Sequence, residues 1–373
     1  MFKRRQILKG IAGLSLIPSS LVRAGNTVVL GQSIALTGPF GAVGTQFSLG
    51  AKLYFDVLNG KGGIDGLKVD LRTHDDGDEP ERCWANTERF MNEGAFALFG
   101  YGGTASTLSI LAMASQGKVP LFAPLSGAQA LRQPYNPYVI NVRASYFEEA
   151  SIIVKHFSLI GVKRVGVVYQ DDLLSALEGV NRSMDALKMQ PVANATIQRN
   201  STNVESAVRL VLAKNPEAII QICSYKSCAD FIRVARNLGY TGNFYCMSFV
   251  GAHTLIADLG ANARGVMVSQ VVPSPYSPAT AIVAEYSSAM KLKGLTSFAL
   301  NHSSLEGFIA GKAFVRAVRM AGKSLDRENF LEATQSIQAF NIGGMVLEYD
   351  ARKNSLSSFV EMTMLTEHGR ILR

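Results

Sequence analysis

Residue types that build metal sites and nucleophilic active sites are scarce in this chain. Its 373 residues include four cysteines and five histidines, and no two cysteines are spaced as Cys-x-x-Cys. The sequence also has no Gly-x-Ser-x-Gly turn, no His-Glu-x-x-His helix and no phosphate-binding loop that ends in lysine. These absences argue against zinc sites and the common hydrolases, so we predict no metal, no cofactor and no enzymatic activity.

Apolar runs long enough to cross a membrane are also missing. No segment has 18 or more apolar residues in a row, the length that predicts a membrane-spanning helix. The N-terminus instead has a basic start, an apolar stretch at residues 11–17 and a small-residue cleavage site at Val22-Arg23-Ala24. This layout is typical of a secretory signal. We therefore predict a leader over residues 1–24, cleavage near Ala24-Gly25, and a periplasmic protein.

The leader contains two adjacent arginines in the string Lys3-Arg4-Arg5-Gln6-Ile7-Leu8-Lys9. That string is similar to a twin-arginine export signal, and the residues after the pair fit as well. An ordinary secretory signal with two arginines is the alternative. No cysteine follows the cleavage site directly, so a lipid anchor is not expected.

The cysteines are Cys83, Cys223, Cys228 and Cys246. Buried free thiols are the simplest interpretation, because cysteine is among the most buried residue types. Export to an oxidising compartment also permits disulfides. A disulfide among the last three cysteines stays open, since the sequence does not select a pair.

An excess of positive charge is mostly confined to the leader. The chain carries a formal net charge of +8, and five basic and no acidic residues lie in residues 1–24. The remaining chain therefore has a net charge of +3. Nucleic-acid binding calls for a clustered basic face, so no nucleic-acid partner is predicted.

Strand and helix patterns alternate along the chain. Apolar strands are predicted at residues 27–33 and 164–169, and each begins a series of strand–helix pairs. The series restarts near residue 146, and the length of the chain fits two domains. Alternation of this kind predicts an α/β fold with two doubly wound parallel sheets, covered by helices on both faces.

Two later segments carry local signals. Proline is dense in residues 273–278, which excludes a helix interior and indicates a crossing or linker. The string Ser303-Ser304-Leu305-Glu306 predicts a capping box at the start of a helix over residues 303–320.

The loops that follow the predicted strands are the candidate site, because open α/β sheets bind ligands outside the carboxyl ends of their strands. The loops at residues 100–106 and 120–127 combine hydroxyl groups with glycine, which lets the backbone approach a ligand closely. Polar and aromatic residues follow the strands of the second half. The candidate ligand-binding residues in these loops are Gly103, Thr104, Ser126, Gly127, Asp171, Tyr225, Ser248 and Phe249.

Several strings, in their order along the chain, resemble one known family. They are Ala35-Leu36-Thr37-Gly38-Pro39, Asn59-Gly60-Lys61-Gly62-Gly63-Ile64, Asp75-Asp76, residues 100–107 and 120–127, and Gly265-Val266-Met267-Val268. Over residues 28–370 the chain resembles the type I periplasmic binding proteins of branched-chain amino-acid ABC systems. The resemblance implies two α/β lobes that close on a ligand by hinge motion.

In that fold three chain segments cross between the lobes. The resemblance places the crossings near residues 142–146, 270–274 and 340–344. The first lobe would then comprise residues 25–143 plus 273–340. The second lobe would comprise residues 144–272 plus 341–373.

The resemblance also implies roles for site residues and adds Tyr146 and Leu174 to the candidates. Thr104 matches a hydroxyl that holds the ligand carboxylate, whereas a second hydroxyl position aligns at Gly127, beside Ser126. An acid that receives the ligand ammonium aligns at Ser248, and a lining aromatic aligns at Leu174. A buried ammonium without a carboxylate costs several kcal/mol. A carboxylate, aromatic acid or amide therefore fits at least as well as a leucine-like zwitterion, unless Asp171 replaces the acid.

The function that the resemblance implies is that of the substrate-binding component of an ABC importer. Its partners would be a small organic solute and the membrane permease subunits, and the protein would be a monomer. A ligand-sensing receptor module of the same fold is the alternative. An exported enzyme is a third reading, and the missing catalytic motifs argue against it.

Overall fold

The computed structural model describes residues 26–295 and 298–372. The predicted leader, its arginine pair and its cleavage site lie outside the described residues. Within those residues, no helix combines the length and the apolar character that a membrane crossing requires.

Strands and helices alternate from Thr27 onward. The strands are β1 (Thr27–Ile34), β2 (Lys68–Asp75), β3 (Ala97–Phe99), β4 (Leu121–Phe122), β5 (Val139–Ile140), β6 (Val165–Gln170), β7 (Ala193–Ile197), β8 (Ala218–Ile222), β9 (Asn243–Cys246), β10 (Val266–Gln270), β11 (Phe340–Asn341), β12 (Val346–Leu347), β13 (Glu361–Leu365) and β14 (Ile371–Leu372). The helices are α1 (Gly41–Gly60), α2 (Pro80–Asn92), α3 (Thr104–Ser109), α4 (Leu111–Gln116), α5 (Tyr146–Ile160), α6 (Leu174–Ala186), α7 (Glu205–Leu212), α8 (Tyr225–Asn237), α9 (Ala252–Leu259), α10 (Ala281–Leu292), α11 (His302–Ala321) and α12 (Arg327–Gln335).

The first lobe is built on five parallel strands in the order β2-β1-β3-β4-β5. Its interior strand β1 has an apolar core side, on which Val28, Leu30 and Ile34 are fully buried. Parallel strands are apolar because helices cover both faces of the sheet.

The second lobe is built on seven strands in the order β14-β13-β10-β9-β8-β6-β7. Strands β6 to β10 run parallel, and β13 and β14 extend the sheet as antiparallel edge strands. The strand β8 is buried along its whole length. The predicted α/β class with two parallel-sheet lobes is confirmed.

Helix α11 packs very closely against α1 in the first lobe. A Cβ atom at Gly50 would lie 1.7 Å from the carbonyl oxygen of Ser304, and one at Gly307 would lie 2.0 Å from the carbonyl oxygen of Phe47. Only glycine fits at such positions, since any side chain would push the two helix backbones apart. The two helices therefore form a tight seam.

The chain passes between the sheets in three places. It leaves the first sheet after β5 and enters α5 through residues 141–145, and it returns after β10 through residues 271–280. The third passage differs from the prediction. At residues 340–347 the chain forms a hairpin of β11 and β12, whose connection contains Gly343 and Gly344 at positive φ.

The predicted boundary of the second lobe at residue 341 is therefore wrong. Ile342, Met345, Leu347 and Leu356 are buried in the core that holds the first sheet. The chain joins the second sheet only with β13. Gly343 and Gly344 turn the hairpin, and the apolar residues around them fill the first core.

Candidate functional site

Both sheets reverse their strand order at one point. Strand β1 lies between β2 and β3, and strand β6 lies between β7 and β8. Ligands of open α/β sheets bind at such switch points, outside the carboxyl ends of the strands. The loops after β1 and β3 in one lobe and after β6 and β8 in the other are thus the places for a site.

Three hydroxyl groups meet beside the loop that follows β3. The Thr104 Oγ1 lies 2.9 Å from the Ser126 Oγ and 3.2 Å from the Tyr146 hydroxyl oxygen. Thr104 and Ser126 belong to first-lobe loops, whereas Tyr146 begins α5 of the second lobe. We call Thr104, Ser126 and Tyr146 the hydroxyl cluster. Each hydroxyl can donate one hydrogen bond and accept others, so the cluster can bind a carboxylate or a carbonyl oxygen.

The ring of Tyr146 is held from both lobes. A Cβ atom at Gly127 would lie 2.3 Å from that ring, and the Gly127 carbonyl accepts a 2.9 Å hydrogen bond from the Tyr146 N–H. On the other side, the Phe249 ring contacts Tyr146 edge-on at 5.4 Å between centroids. The predicted residues Gly127, Tyr146 and Phe249 thus come together with the hydroxyl cluster.

A buried ion network lies next to these residues. The guanidinium of Arg143 donates a hydrogen bond to the Ser248 hydroxyl. It also lies 3.5 Å from one carboxylate oxygen each of Glu149 and Glu306. We call Arg143, Glu149 and Glu306 the hinge network, since Arg143 is in the first crossing segment. Burial lowers the pKa of Arg143, but Glu306 and Glu149 outweigh it and raise that pKa above its usual value.

The carboxylate of Glu149 has hydrogen-bond donors on both of its oxygens. One of its oxygens accepts hydrogen bonds from the Ser248 N–H at 2.8 Å and from the Ser269 hydroxyl at 2.6 Å. The other faces Arg143. Ser248 therefore lies among buried charges that already pair with one another.

A second ion network bridges the lobes. The Arg199 Nη2 lies 2.8 Å from Oδ2 of Asp78, and its Nε lies 3.1 Å from Oδ2 of Asp172. Asp78 follows β2 of the first lobe and lies against Gly103, whereas Arg199 follows β7 of the second lobe. We call Arg199, Asp78 and Asp172 the mouth network. Burial raises the pKa of Asp78 to about 6, although Arg199 lowers it.

The other three predicted site residues lie elsewhere in the second lobe. An Asp171 carboxylate oxygen accepts a 3.0 Å hydrogen bond from the backbone N–H of Arg199. Leu174 begins α6 and is 58% exposed. Tyr225 begins α8, where it packs against the second-lobe core and under the ammonium of Lys226. The structure does not bring these three into contact with the hydroxyl cluster.

Sequence reasoning missed both ion networks. Arg143 is a single cation in the run Val139-Ile140-Asn141-Val142-Arg143-Ala144, and that isolation was a usable signal. Asp78 and Arg199 follow strands, where the carboxyl-end rule directs attention, but nothing local pairs residues that are 121 positions apart.

The part of the chain that the structure describes contains no group of histidine, cysteine, aspartate and glutamate that could hold a metal ion. The four cysteines are buried and free.

Comparison with known proteins identifies the family. The profile described as Periplasmic binding protein matches residues 27–362. The chain belongs to the periplasmic binding protein family. Within it, this periplasmic binding protein is of type I and belongs to the branched-chain amino-acid branch, which confirms the resemblance seen in the sequence. Its role is that of an ABC-type substrate-binding protein.

Individual relatives show how far the likeness extends. The Leucine-specific-binding protein of Salmonella typhimurium is 22% identical over 289 residues, which is 76% of this chain and 77% of that protein. The structure of a possible leucine/isoleucine/valine-binding protein from Rhodopirellula baltica is 30% identical, with a TM-score of 0.87, over 93% of this chain and 96% of that chain. A fatty acid ABC transporter substrate-binding protein from Thermomonospora curvata shares the fold at 18% identity, with a TM-score of 0.84, over 93% of this chain and 90% of that chain.

Proposed function

We propose that this protein is the extracytoplasmic, periplasmic substrate-binding component of an ABC importer. It captures a small organic solute, an amino acid or a related carboxylate or amide, by closure of its two lobes. The hydroxyl cluster is the observation that carries this proposal, because its three hydroxyls come from both lobes and meet beside the switch point of the first sheet. A ligand held there would contact both lobes at once and so favour the closed form.

The charges around the cluster favour a ligand group without an ammonium. An ammonium that leaves water needs a carboxylate partner. The Glu149 carboxylate beside Ser248 already accepts three donors, and Glu306 faces Arg143. Hydroxyl donors remain, and they suit a carboxylate or amide oxygen.

The names of two relatives agree with a carboxylate as the group that their ligands share. Leucine and a fatty acid, which the names of two of them specify, both carry a carboxyl group, but only leucine carries an ammonium. We infer that this chain recognises the carboxylate or amide end of its solute through the hydroxyl cluster. It acts as a monomer that delivers the solute to the permease subunits of the importer.

The test is thermal unfolding of the ligand-stripped protein against amino acids, aromatic and aliphatic carboxylates, amides and short peptides. A ligand at 100 times its Kd adds about 2.7 kcal/mol to the free energy of unfolding. We expect a rise in the unfolding midpoint with carboxylates or amides that lack an ammonium. A rise with leucine-like amino acids alone would keep the transport role and overturn the ligand preference. No rise across the whole panel would contradict solute capture.

A further inference from the structure

Three of the four cysteines lie together in the second lobe. Cys223 directly follows β8, Cys228 lies in the first turns of α8, and Cys246 ends β9. All three side chains are fully buried. The Sγ atoms of Cys223 and Cys228 are 2.8 Å apart, and the thiol of Cys246 also interacts with Cys228.

The local backbone brings the first two thiols together. The turn into α8 places the Cys228 N–H on the Ser224 carbonyl at 2.9 Å, and the Cys228 thiol donates to the Cys223 carbonyl at 3.3 Å. A disulfide has an S–S distance of about 2.05 Å, so the two sulfur atoms need to approach by less than ~1 Å. By contrast, the Cys246 thiol also faces the Gln221 side-chain oxygen at 3.5 Å.

We propose that Cys223 and Cys228 form a disulfide in the exported protein, while Cys83 and Cys246 stay reduced. The proposal rests on the periplasmic location in the proposed function, because disulfides persist in oxidising compartments.

The oxidant is a protein or small-molecule disulfide of that compartment. The thiolate of one cysteine attacks it and forms a mixed disulfide, and the other thiolate then displaces the donor. The donor leaves with two electrons as a dithiol or as two thiols, and the two cysteine protons pass to it or to water. In the folded chain, burial raises the pKa of the Cys228 thiol well above its usual value. The exchange therefore takes place before α8 packs onto the sheet.

The bond would close the loop of Ser224 to Ser227, which carries Tyr225. This loop is already tied to its neighbours. The Ser224 N–H donates to the Gln170 side-chain oxygen at 2.5 Å, and the Ser227 hydroxyl donates to the Ser201 carbonyl at 2.7 Å. The disulfide thus fixes a loop at the switch point of the second sheet, which we assign to the second-lobe side of the cleft.

The direct test is a thiol count. The protein is exported with its own leader, and its free thiols are blocked with an alkylating agent during lysis. Trypsin cleaves after Lys226, so the peptides of residues 215–226 and 227–233 stay together only through a Cys223–Cys228 bond. We expect that linked pair, and alkylated Cys83 and Cys246. Four alkylated thiols, or a link that includes Cys246, would overturn the proposal.

Single substitutions test which of the four cysteines form the disulfide. Cys223→Ala or Cys228→Ala removes the linked peptides, whereas Cys246→Ala and Cys83→Ala keep them. Wild-type protein refolded with reductant should melt roughly 5 °C below the oxidised form, and Cys223→Ala should show no such difference.

A second experiment tests the disulfide in case the protein is not exported. If the leader is retained and the chain stays inside the cell, the mature chain is refolded with a glutathione redox pair. The same linked peptides are then expected. Their absence would reject the disulfide, whereas ligand-dependent melting of Cys223→Ala would still report on solute capture.

Discussion

The hinge network and the mouth network are similar in composition but lie in different surroundings. Each has one arginine between two carboxylates, and each connects the lobes. The Arg143 side chain of the hinge network is 2% exposed, whereas the Arg199 side chain of the mouth network is 24% exposed. Burial makes an unpaired charge more costly and its pairing with an opposite charge stronger. Exposure to solvent reduces both the cost and the strength of pairing. The hinge network should therefore act as a fixed joint, and the mouth network as a contact that forms on closure.

The largest effect is expected at the fixed joint. Arg143→Met leaves Glu149 and Glu306 without their cation inside the protein. Loss of one partner from a buried pair costs about 3–5 kcal/mol, which denaturant unfolding would measure. Arg182→Met is the matched control, since its pair with Glu178 is exposed and worth less than about 1 kcal/mol. Equal losses of unfolding free energy in the two variants would show that burial does not strengthen the pairing of Arg143.

The next effect depends on pH and concerns Asp78 in the mouth network. Burial raises its pKa from the usual 3.8 to about 6 in the folded chain. The folded state therefore holds the proton more tightly, and this favours folding at low pH and is lost as pH rises from about 4 through 6. A difference of about two pKa units corresponds to ~3 kcal/mol.

Asp78→Asn isolates this contribution, because asparagine tolerates the positive φ of 63° at that position. We expect the free energy of unfolding of the wild type to fall by roughly 3 kcal/mol relative to the variant between pH 4 and 7. A constant difference over that range would contradict a buried, protonatable Asp78.

A smaller effect is expected where the ligand meets the hydroxyl cluster. Thr104→Val keeps the side-chain shape and removes one hydroxyl. A hydrogen bond to a charged group contributes about 1.5–3 kcal/mol, so the Kd of a carboxylate ligand should rise roughly 10- to 100-fold. Calorimetric titration measures this, with Thr196→Val, on the exposed face of β7, as the control. An unchanged Kd would remove the cluster from the site.

The smallest effect is expected from Arg199→Met. The side chain is partly exposed, and exposed pairs contribute about 0–1 kcal/mol. Ligand affinity should fall less than about fivefold, and small-angle scattering should show a larger share of open molecules without ligand. If Arg199→Met lowered the free energy of unfolding as much as Arg143→Met, the mouth network would be a fixed joint like the hinge network.

Local signals predicted much of the fold. The strand predictions at residues 27–33 and 164–169 correspond to β1 (Thr27–Ile34) and β6 (Val165–Gln170), because apolar parallel strands are recognisable in isolation. The crossing that the resemblance placed near residues 340–344 is instead a hairpin packed on the first core, because its apolar residues are buried there.

Long-range pairing explains what could not be predicted. Ser303 and Glu306 were predicted to form a capping box, but the helix is capped by Asn301, whose side chain accepts a 2.8 Å hydrogen bond from the Ser304 N–H. The Glu306 carboxylate faces Arg143 instead. The carboxyl-end rule pointed to Thr104 and Ser126, whose hydroxyls the structure brings together, because that rule depends only on strand order. The partners of charged side chains depend on the tertiary structure.

The seam between α1 and α11 has a mechanical consequence. Two helices whose backbones touch at Gly50 and Gly307 cannot slide past each other without a collision of main-chain atoms. The first lobe should therefore be stiff along that line and move as one body in the proposed closure. If closure takes place as proposed, the change must then be absorbed by a few torsion angles in the crossing segments, so we expect the flexibility of the molecule to be concentrated there.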